Sequence, residues 1–301
     1  MRNHQPTVAI VIPCFNRWPR VCEAIDSVLS QTWLNTHCIV VDDVSTDGSY
    51  AQLEEHYRAE PRVSLHQLAS NQGQSAARNH GVALSDAAYV GFLDSDDLLV
   101  ESAVANRMQV AQDDPDFEGL IFSDPIDTVT HRSLLPGKKE YSAPLTLSEY
   151  IDDMGWLHTN SFLMKRSAFT VSGGFNEELR KKEDVEFFLR ALAREDGRYA
   201  TGPCCMVRDV EEHRARHDHE RIIRQGERFI EAVKMNPILM NRLTQEQAKK
   251  LLEADTRSVL QSLYRMKQGK RFRSTLRDAI VNGKLKLDAR LLKRYLLSFL
   301  R

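Results

Sequence analysis

Short apolar runs alternate with segments of helical periodicity over the first hundred residues. Residues 7–13 (TVAIVIP) form a continuous, β-branched run that ends at a proline, which is typical of a buried strand. Residues 20–31 carry apolar side chains at positions 21, 24, 25, 28 and 29, the spacing of an amphipathic helix. Three further apolar runs, HCIVVDD, RVSLHQL and AAYVGFLD, are separated by helix-like or loop-like segments. Strands joined by helices predict an α/β fold with a mostly parallel central sheet flanked by helices.

Both the pattern and the charge change further along the chain. Residues 119–210 mix strand-like and helix-like segments, and the chain is helix-rich after residue 219. Residues 221–301 carry 20 Lys and Arg against 7 Asp and Glu, whereas residues 1–220 carry 21 against 35. We therefore predict an acidic α/β domain over residues 1–220 and a basic helical C-terminal region over residues 221–301.

Composition narrows the cellular setting. The chain has 301 residues, a formal net charge of −1 and five cysteines. Its apolar stretches are shorter than the roughly 18 residues of a membrane-spanning helix, and the apolar part of its first segment is too short for a signal peptide. An odd number of cysteines without metal-like spacing favours a reducing compartment over a disulfide framework. We expect a cytoplasmic protein that does not bind nucleic acid.

Polar side chains recur at the predicted carboxyl ends of the strands. In open α/β sheets, ligands bind in the crevice beyond those ends. The polar residues that fall there are Asn16, Arg17, Asp42, Asp43, Asp94 and Asp96. This recurrence predicts a binding site at one edge of the sheet.

The segment YVGFLDSDDLLV places three carboxylates, Asp94, Asp96 and Asp97, directly after an apolar run. Like charges repel at this spacing, and removing them from water costs further free energy. A divalent cation is the commonest physical remedy, and Mg²⁺ and Mn²⁺ both prefer oxygen ligands. The aspartates therefore indicate a metal site.

The first strand-to-helix turn, PCFNRWPR, contains no glycine. The dinucleotide fingerprint G-x-G-x-x-G is therefore missing there, and the chain has no G-x-x-x-x-G-K-[ST] sequence. These absences disfavour both nicotinamide-dependent enzymes and P-loop enzymes.

Five segments resemble one family in their order and spacing: VAIVIPCFNR, IVVDDVSTDGS, NQGQSAARNHG, YVGFLDSDD and GGFNEELRKKEDVEFFLRA. The chain resembles the family 2 inverting glycosyltransferases over residues 7–220, and residues 221–301 carry no matching motif. The resemblance implies the glycosyltransferase-A fold and an enzyme that uses a nucleotide-sugar donor, most often a UDP-sugar, with Mn²⁺ or Mg²⁺ as cofactor. It also implies a glycan or lipid-linked acceptor and a setting in surface polysaccharide synthesis.

By this resemblance, Asp94, Ser95 and Asp96 form the family's D-x-D motif. Asp96 is expected to ligate the metal directly, and Asp94 to contact the ribose or to reach the metal through water. Asp97 is expected only to cap the following helix from a solvated turn. Asp43 is expected to accept a hydrogen bond from the base, with helix capping as the alternative.

Further donor contacts are expected from the NQGQSAARN segment and the strand ends. Arg78 would reach the base or the pyrophosphate, unless it is a surface arginine on a helix. Val44 stands where the family commonly has a small residue, and a β-branched side chain tolerates a positive φ poorly, so we expect the loop to depart from a turn that needs one. The predicted donor site is Pro13, Phe15, Asn16, Arg17, Asp42, Asp43, Gly73, Arg78, Asp94 and Ser95.

An inverting transfer needs a base that takes the proton of the acceptor hydroxyl. The resemblance gives this role to Asp184, at the start of a predicted helix, where the helix dipole alone also favours a carboxylate. Glu183, Trp156 and His158 are expected on the acceptor side, and a core position is the alternative for Trp156.

A third metal ligand is expected among the histidines beyond that helix. His217 is the candidate that the resemblance suggests, and it competes with His213 and His219 for the role.

Two other functions share parts of this pattern. A sugar-1-phosphate nucleotidyltransferase uses similar metal chemistry, but it would need a glycine-rich loop with a basic residue after the first strand. A non-catalytic sugar-binding scaffold would be favoured by loss of Asp184 or of the D-x-D motif, and both are present.

The C-terminal end predicts a basic amphipathic helix. Its apolar residues near one face are Leu287, Leu291, Leu292, Tyr295 and Leu296. Such helices bind anionic membrane surfaces. We favour packing on the acidic domain or a homo-oligomer interface, and we keep peripheral contact with the inner face of the membrane as the second hypothesis.

Overall fold

A computed structural model of the chain describes residues 6–134, 144–152, 157–208, 219–281 and 285–300. The chain divides into two compact units, Met1–Val210 and Glu211–Arg301. The boundary predicted at residue 220 lies within the first helix of the second unit, and the assignment of functional domains stays a prediction.

Parallel strands and crossover helices build the first part of the first unit. The predicted apolar runs form β1 (Val8–Cys14), β2 (Thr36–Asp42), β3 (Val63–Gln67) and β4 (Tyr89–Phe92). The helices between them are α1 (Arg20–Leu29), α2 (Ser49–Tyr57) and α3 (Gln74–Ala83). β1 pairs in parallel with β2 and β4, and β2 pairs in parallel with β3. The carboxyl ends of these strands therefore lie at one edge of the sheet.

The rest of the unit makes the sheet mixed. Its strands are β5 (Leu98–Leu99), β6 (Ile121–Asp127), β7 (Phe162–Lys165) and β8 (Arg198–Val207). Its helices are α4 (Ala103–Asp113), α5 (Leu147–Asp152), α6 (Arg166–Val171) and α7 (Glu183–Leu192). Within the described residues the strand order is β3-β2-β1-β4-β7-β6-β8-β5. β7 runs antiparallel between β4 and β6, and β5 runs antiparallel to β8. β6 and β8 pair in parallel, so the parallel pairing that the sequence predicts joins the first four strands and recurs between β6 and β8.

Phenylalanine rings hold α7 against the sheet. The rings of Phe162, Phe169, Phe175 and Phe187 are buried, and the ring of Phe187 lies 4.9 to 5.6 Å from the other three, centroid to centroid. Such aromatic pairs contribute about 0.5–1.5 kcal/mol each beyond the burial of their area. Because the cluster joins β7, α6 and α7, it fixes the position at which α7 begins.

The described part of the second unit is helical. Its helices are α8 (His219–Met235), α9 (Pro237–Arg242), α10 (Gln245–Arg265), α11 (Gly269–Val281) and α12 (Ala289–Leu297). Phe272 of α11 packs in a core with Leu260 and Leu263 of α10 and Leu291 of α12. Across the described ranges of the whole chain, no helix combines the length and the apolar character that crossing a bilayer requires.

Candidate active site

Four of the six predicted strand-end residues line one pocket beyond the carboxyl ends of β1, β2 and β4: Arg17, Asp43, Asp94 and Asp96. Its volume is about 290 Å³, and its lining residues are Pro13, Cys14, Phe15, Arg17, Asp43, Gln74, Asp94, Ser95 and Asp96. Two larger grooves of about 390 and 380 Å³ are lined by none of these residues: one is formed by α8, α10 and α11 of the second unit, and the other lies beside α6 and α7. The pocket at the strand ends is therefore the site that the sequence predicts.

Two backbone amides hold the carboxylate of Asp43. Its Oδ1 accepts from the N–H of Gln72 at 2.6 Å, and its Oδ2 accepts from the N–H of Gly73 at 2.7 Å. Gly73 has φ +85° and ψ 170°, a conformation that is essentially restricted to glycine. The first N–H of α2, that of Ser49, donates to Oδ1 of Asp47 at 2.9 Å and not to Asp43, so the helix-capping alternative for Asp43 is wrong. The carboxylate is instead fixed in the wall of the pocket.

Asp42 is occupied inside the adjoining loop. Its side chain is buried, and it accepts hydrogen bonds from the N–H and the hydroxyl of Ser45 and from Nε2 of Gln67. It is not among the residues that line the pocket. This places Asp42 in the support of the loop that carries Asp43 rather than against a ligand.

Val44 adopts the backbone conformation that we expected a β-branched residue to avoid. Its φ is +64°, in the left-handed region. The β-branched side chain therefore does not divert the loop, which carries backbone strain at this position instead.

Asn16 and Arg17 connect the loop after β1 to different neighbours. Asn16 also has a positive φ, +54°, and its Oδ1 accepts from the N–H of Thr46 at 2.8 Å, so it joins the loops that follow β1 and β2. Arg17 lines the pocket, with Nη2 3.6 Å from Oδ2 of Asp96. Of this predicted pair, only Arg17 faces the pocket.

Arg78 is an internal bridge between two carboxylates. Its side chain is buried, with the residue 1% exposed, and Nη2 donates to Oδ1 of Asp94 at 2.6 Å while Nη1 lies 3.4 Å from Oε1 of Glu183. Burial acts to lower the pKa of the guanidinium, but these two carboxylates outweigh it and raise the pKa. The surface-arginine alternative is wrong. The sequence predicts that Arg78 reaches the base or the pyrophosphate. Because its Nη1 and Nη2 are already paired with Glu183 and Asp94, the structure instead places Arg78 where it holds Asp94.

Asp94 and Asp96 have opposite electrostatic surroundings. Burial acts to raise the pKa of Asp94, but the positive charges of Arg78 and His158 outweigh it and hold the pKa below its ordinary value. Burial and the negative charge of Asp94 raise the pKa of Asp96, and Arg17 only partly offsets them. Asp96 therefore has the less compensated carboxylate, and a bound cation would favour its ionised form.

Asp97 contradicts the solvated, helix-capping role expected for it. It is 4% exposed, its Oδ2 accepts from Nδ2 of Asn160 at 2.6 Å, and its Oδ1 accepts from the N–H of Arg208 at 2.8 Å. Burial and the charge of Asp94 raise the pKa of Asp97 to about 7. The reason is β5, which begins at the next residue and pairs with β8, so the turn is drawn into the interior.

A divalent cation fits the carboxylates at the pocket. The ligand atoms of Asp94, Asp97 and His158 lie within 4.8 Å of one another. Asp97 already binds two N–H donors, however, and Nδ1 of His158 accepts from the N–H of Asn160 at 3.3 Å. Asp96 lines the pocket with a single long ion pair, so Asp96 together with Asp94 offers the oxygen ligands that Mg²⁺ or Mn²⁺ prefers. His158, predicted on the acceptor side, lies beside these carboxylates.

Glu183 and Asp184 form the first turn of α7, as predicted. Glu183 is buried and accepts a hydrogen bond from the amide of Gln74, so it faces inward. Burial raises the pKa of Glu183, although Arg78 opposes the shift. Asp184 is half-buried, and its Oδ1 accepts from the N–H of Val185 at 2.7 Å. Of the two, Asp184 is the more exposed, and it is not among the residues that line the pocket.

A profile of glycosyl transferase family 2 matches residues 9–169, more than half of the chain. The chain belongs to glycosyl transferase family 2. The glycosyltransferase EpsJ of Bacillus subtilis, which is uncharacterised, is 32% identical over 198 residues, which are 62% of this chain and 56% of that protein. The chain spans between about a quarter and just over half of the length of the first curated relatives that it matches.

Solved structures share the fold of this family 2 chain. Residues 1–349 of Staphylococcus aureus TarS, in complex with UDP-GlcNAc, align with a TM-score of 0.64 at 17% identity and cover 92% of this chain and 89% of that one. The mannosyltransferase PcManGT of Pyrobaculum calidifontis, in complex with GDP-Man and Mn²⁺, aligns with a TM-score of 0.57 at 16% identity and covers 99% and 85%. The predicted family and the predicted glycosyltransferase-A fold are confirmed.

Three of the predicted site residues lie outside the described part of the chain, and a fourth lies in the second unit. Trp156, His213 and His217 lie outside the described residues, and His219 begins α8 in the second unit. Gln74 and Asn160 were missed, because a single amide in a short segment gives no periodic signal. The one available hint was the polar HTNS segment directly before an apolar strand.

Proposed function

We propose that this family 2 protein transfers a sugar from a nucleotide-sugar, in first place a UDP-sugar, to a hydroxyl of a glycan or lipid-linked acceptor, with inversion at the anomeric carbon. One observation carries the proposal. The clamped carboxylate of Asp43 and the turn with Asp94, Ser95 and Asp96 line the same pocket. The UDP-GlcNAc and GDP-Man bound in the two structural neighbours support a nucleotide-sugar donor.

Asp43 suits recognition of the base. An ionised carboxylate only accepts hydrogen bonds, and each of its oxygens offers more than one lone pair. Each oxygen takes one backbone N–H, which fixes the carboxylate in place and leaves it able to accept an N–H from uracil. Guanine presents an N–H donor as well, so the nucleotide must be tested and not assumed.

Asp96 would hold Mn²⁺ or Mg²⁺, with Asp94 bound to the ion directly or through water. When bound, such an ion acts as a Lewis acid that stabilises the leaving nucleoside diphosphate. Arg78 holds Asp94 in its ionised form and fixed orientation. Arg17, in the same pocket, offers a guanidinium to the remaining phosphate charge.

Asp184 would take the proton of the acceptor hydroxyl as it attacks. Its one described hydrogen bond is to the adjacent backbone N–H, which leaves the second oxygen available. In-line attack with this single base gives inversion, so an α-linked donor would give a β-linked product.

Calorimetric titration with UDP, with and without Mn²⁺, tests the donor site. We expect binding that depends on the metal in the wild-type protein and is lost in Asp96→Ala. Asp86→Ala, an exposed aspartate before β4, is the matched control and should bind as the wild type does. GDP titrated in parallel decides the nucleotide. Absence of metal-dependent binding to both UDP and GDP would refute the proposal.

Turnover separates this proposal from its rivals. A transferase releases UDP from a UDP-sugar, slowly to water even without an acceptor, whereas a sugar-binding scaffold releases none. A sugar-1-phosphate nucleotidyltransferase would instead convert the UDP-sugar and pyrophosphate into UTP and a sugar-1-phosphate. The membership of family 2 supports the first outcome.

We also propose that the exposed face of α12 contacts an anionic membrane. Leu291 of its predicted apolar face is buried in the second unit, whereas Leu292, Leu296 and Phe299 are 45%, 61% and 61% exposed. These three are spaced i, i+4 and i+7, and Arg290 and Lys293 beside them are exposed. A symmetric dimer through this face would bring like charges together, so an anionic lipid surface suits it better.

A further inference from the structure

One buried amide fastens both ends of the turn that carries the aspartates. Asn160 lies in a short 3₁₀ turn before β7 and is 0% exposed. Its Oδ1 accepts from the N–H of Asp94 at 2.9 Å, and its Nδ2 donates to Oδ2 of Asp97 at 2.6 Å. The turn itself is closed by the N–H of Asp97 on the carbonyl of Asp94 at 3.1 Å. The two residues left between the fastened ends are Ser95 and Asp96.

Asn160 is itself held from two sides. Its N–H donates to Nδ1 of His158 at 3.3 Å, and its carbonyl lies 3.5 Å from Nη1 of Arg107. Arg107 is buried, and its Nη2 has no hydrogen-bond partner among the described residues. The backbone of Asn160 thus stands against a buried cation, while its side chain binds a buried carboxylate.

These contacts have a directional consequence. An asparagine side chain has one acceptor and one donor end, and here each end has a single matching partner. A side chain that lacks the acceptor would leave the N–H of Asp94 without its partner, and one that lacks the donor would leave Oδ2 of Asp97 without its partner. An unpaired buried polar group costs about 1–3 kcal/mol. The turn would then relax, and the carboxylate of Asp96 would lose its fixed direction into the pocket.

We infer that Asn160 is a positioning residue for the metal and the donor, which sets the geometry of Asp96 without touching either ligand. The inference rests on the proposed function. Groups that orient metal ligands from behind typically affect metal affinity by about 10- to 100-fold when they are removed.

The test measures Mn²⁺ affinity by electron paramagnetic resonance, with and without saturating UDP, together with UDP affinity in the absence of metal. Asn160→Leu should weaken Mn²⁺ binding by about 10- to 100-fold. Its metal-free affinity for UDP should stay unchanged, because the clamp on Asp43 is intact. Asn35→Leu, which removes a half-buried amide at the other end of β2, is the matched control and should alter neither affinity.

If Asn160→Leu does not fold, a second test exchanges the amide of Asn160 and the carboxylate of Asp97. Asn160→Asp sets two carboxylates against each other and should also lose Mn²⁺ affinity. Adding Asp97→Asn restores a donor–acceptor pair with the same total charge, and the double variant should regain most of that affinity. Circular dichroism and the unfolding midpoint show that each variant compared is folded.

Different results would overturn the proposed function and the inference about Asn160. A wild-type protein that binds neither Mn²⁺ nor UDP would overturn the proposed function and this inference with it. A wild-type protein that binds both, with a folded Asn160→Leu that binds Mn²⁺ equally well, would overturn the inference alone. A folded double variant no better than Asn160→Asp would do the same.

Discussion

Val44 holds a left-handed backbone conformation beside the carboxylate that faces the pocket. This conformation costs an L-residue roughly 1–2 kcal/mol. Glycine at this position avoids that cost, but it lowers the free energy of unfolding by about 0.5–1 kcal/mol because it loses more conformational entropy on folding. We predict that Val44→Gly raises the free energy of unfolding in urea by about 0.5–1 kcal/mol. Val129→Gly, at an exposed turn position without a positive φ, should lower it. An unchanged or lowered stability in Val44→Gly would show that the loop is unstrained.

Asp184 is the residue on which the chemistry of the proposal depends. Removing a general base typically lowers kcat by about 10²–10⁴-fold. We predict a loss of this size in Asp184→Asn, measured as UDP release with acceptor, with metal-dependent UDP affinity unchanged. Asp113→Asn, an exposed carboxylate at the end of α4, serves as the control. Full activity in Asp184→Asn would assign the base elsewhere.

Glu183 should give the fold a recognisable dependence on pH. Burial raises its pKa above the ordinary value of 4.5, so the folded state favours the protonated form. Its stabilising contribution is therefore complete below about pH 4.5 and is lost as the pH rises through the folded pKa. We predict that the wild type loses stability relative to Glu183→Gln as the pH rises above about 4.5 in urea titrations. Parallel curves for the two proteins would contradict the raised pKa.

At the scale of elements, the exposed face of α12 carries the prediction of membrane contact. We expect the full chain to sediment with vesicles that contain anionic lipid and not with zwitterionic vesicles, and salt to weaken the binding. The triple change Leu292→Ser, Leu296→Ser and Phe299→Ser should abolish it. A control triple in the first unit, at exposed Leu34, Val129 and Val171, should leave it intact. Equal sedimentation of both triples would remove α12 from the proposal.

The placement of α7 shows how an element can serve a site through its packing. The helix begins at Glu183, directly after Lys182 in a left-handed conformation, and the phenylalanine cluster holds its far side against the sheet. Glu183 then reaches Arg78 on α3, and Arg78 reaches Asp94 after β4. One buried guanidinium on α3 thus ties α7 to the turn after β4.

At the scale of the whole molecule, the ligands should stabilise the fold by mass action. A ligand at 100 times its Kd adds about 2.7 kcal/mol to the free energy of unfolding. We predict that UDP with Mn²⁺ raises the unfolding midpoint, that a chelator of Mn²⁺ reverses the rise, and that Asp96→Ala shows none. Differential scanning fluorimetry measures all three. A rise that persists in Asp96→Ala would place the ligands at another site.

Much of the fold and part of the site could be predicted because their signals are local. The apolar runs of β1 to β4 and the helical spacing of α1 are properties of short segments, and so are the acidic residues at the strand ends. The antiparallel β7 and the pairing of β5 with β8 join residues far apart in sequence, and periodicity carries no record of such pairs. The prediction of a mostly parallel sheet is confirmed for β1 to β4 and for the pair of β6 with β8, whereas β7 and β5 make the sheet mixed.

The sequence by itself determined the alternation of strands and helices, the edge at which Asp43, Asp94 and Asp96 meet, and the resemblance that the family comparison confirmed. Only the tertiary structure decided what each polar group faces. It turned Arg78 and Glu183 inward, withdrew Asp42 and Asp97 from solvent, and set Asn160 behind the turn that carries Asp94 and Asp96. The physical reason is that burial depends on long-range packing, and a buried polar group takes whichever partner that packing supplies.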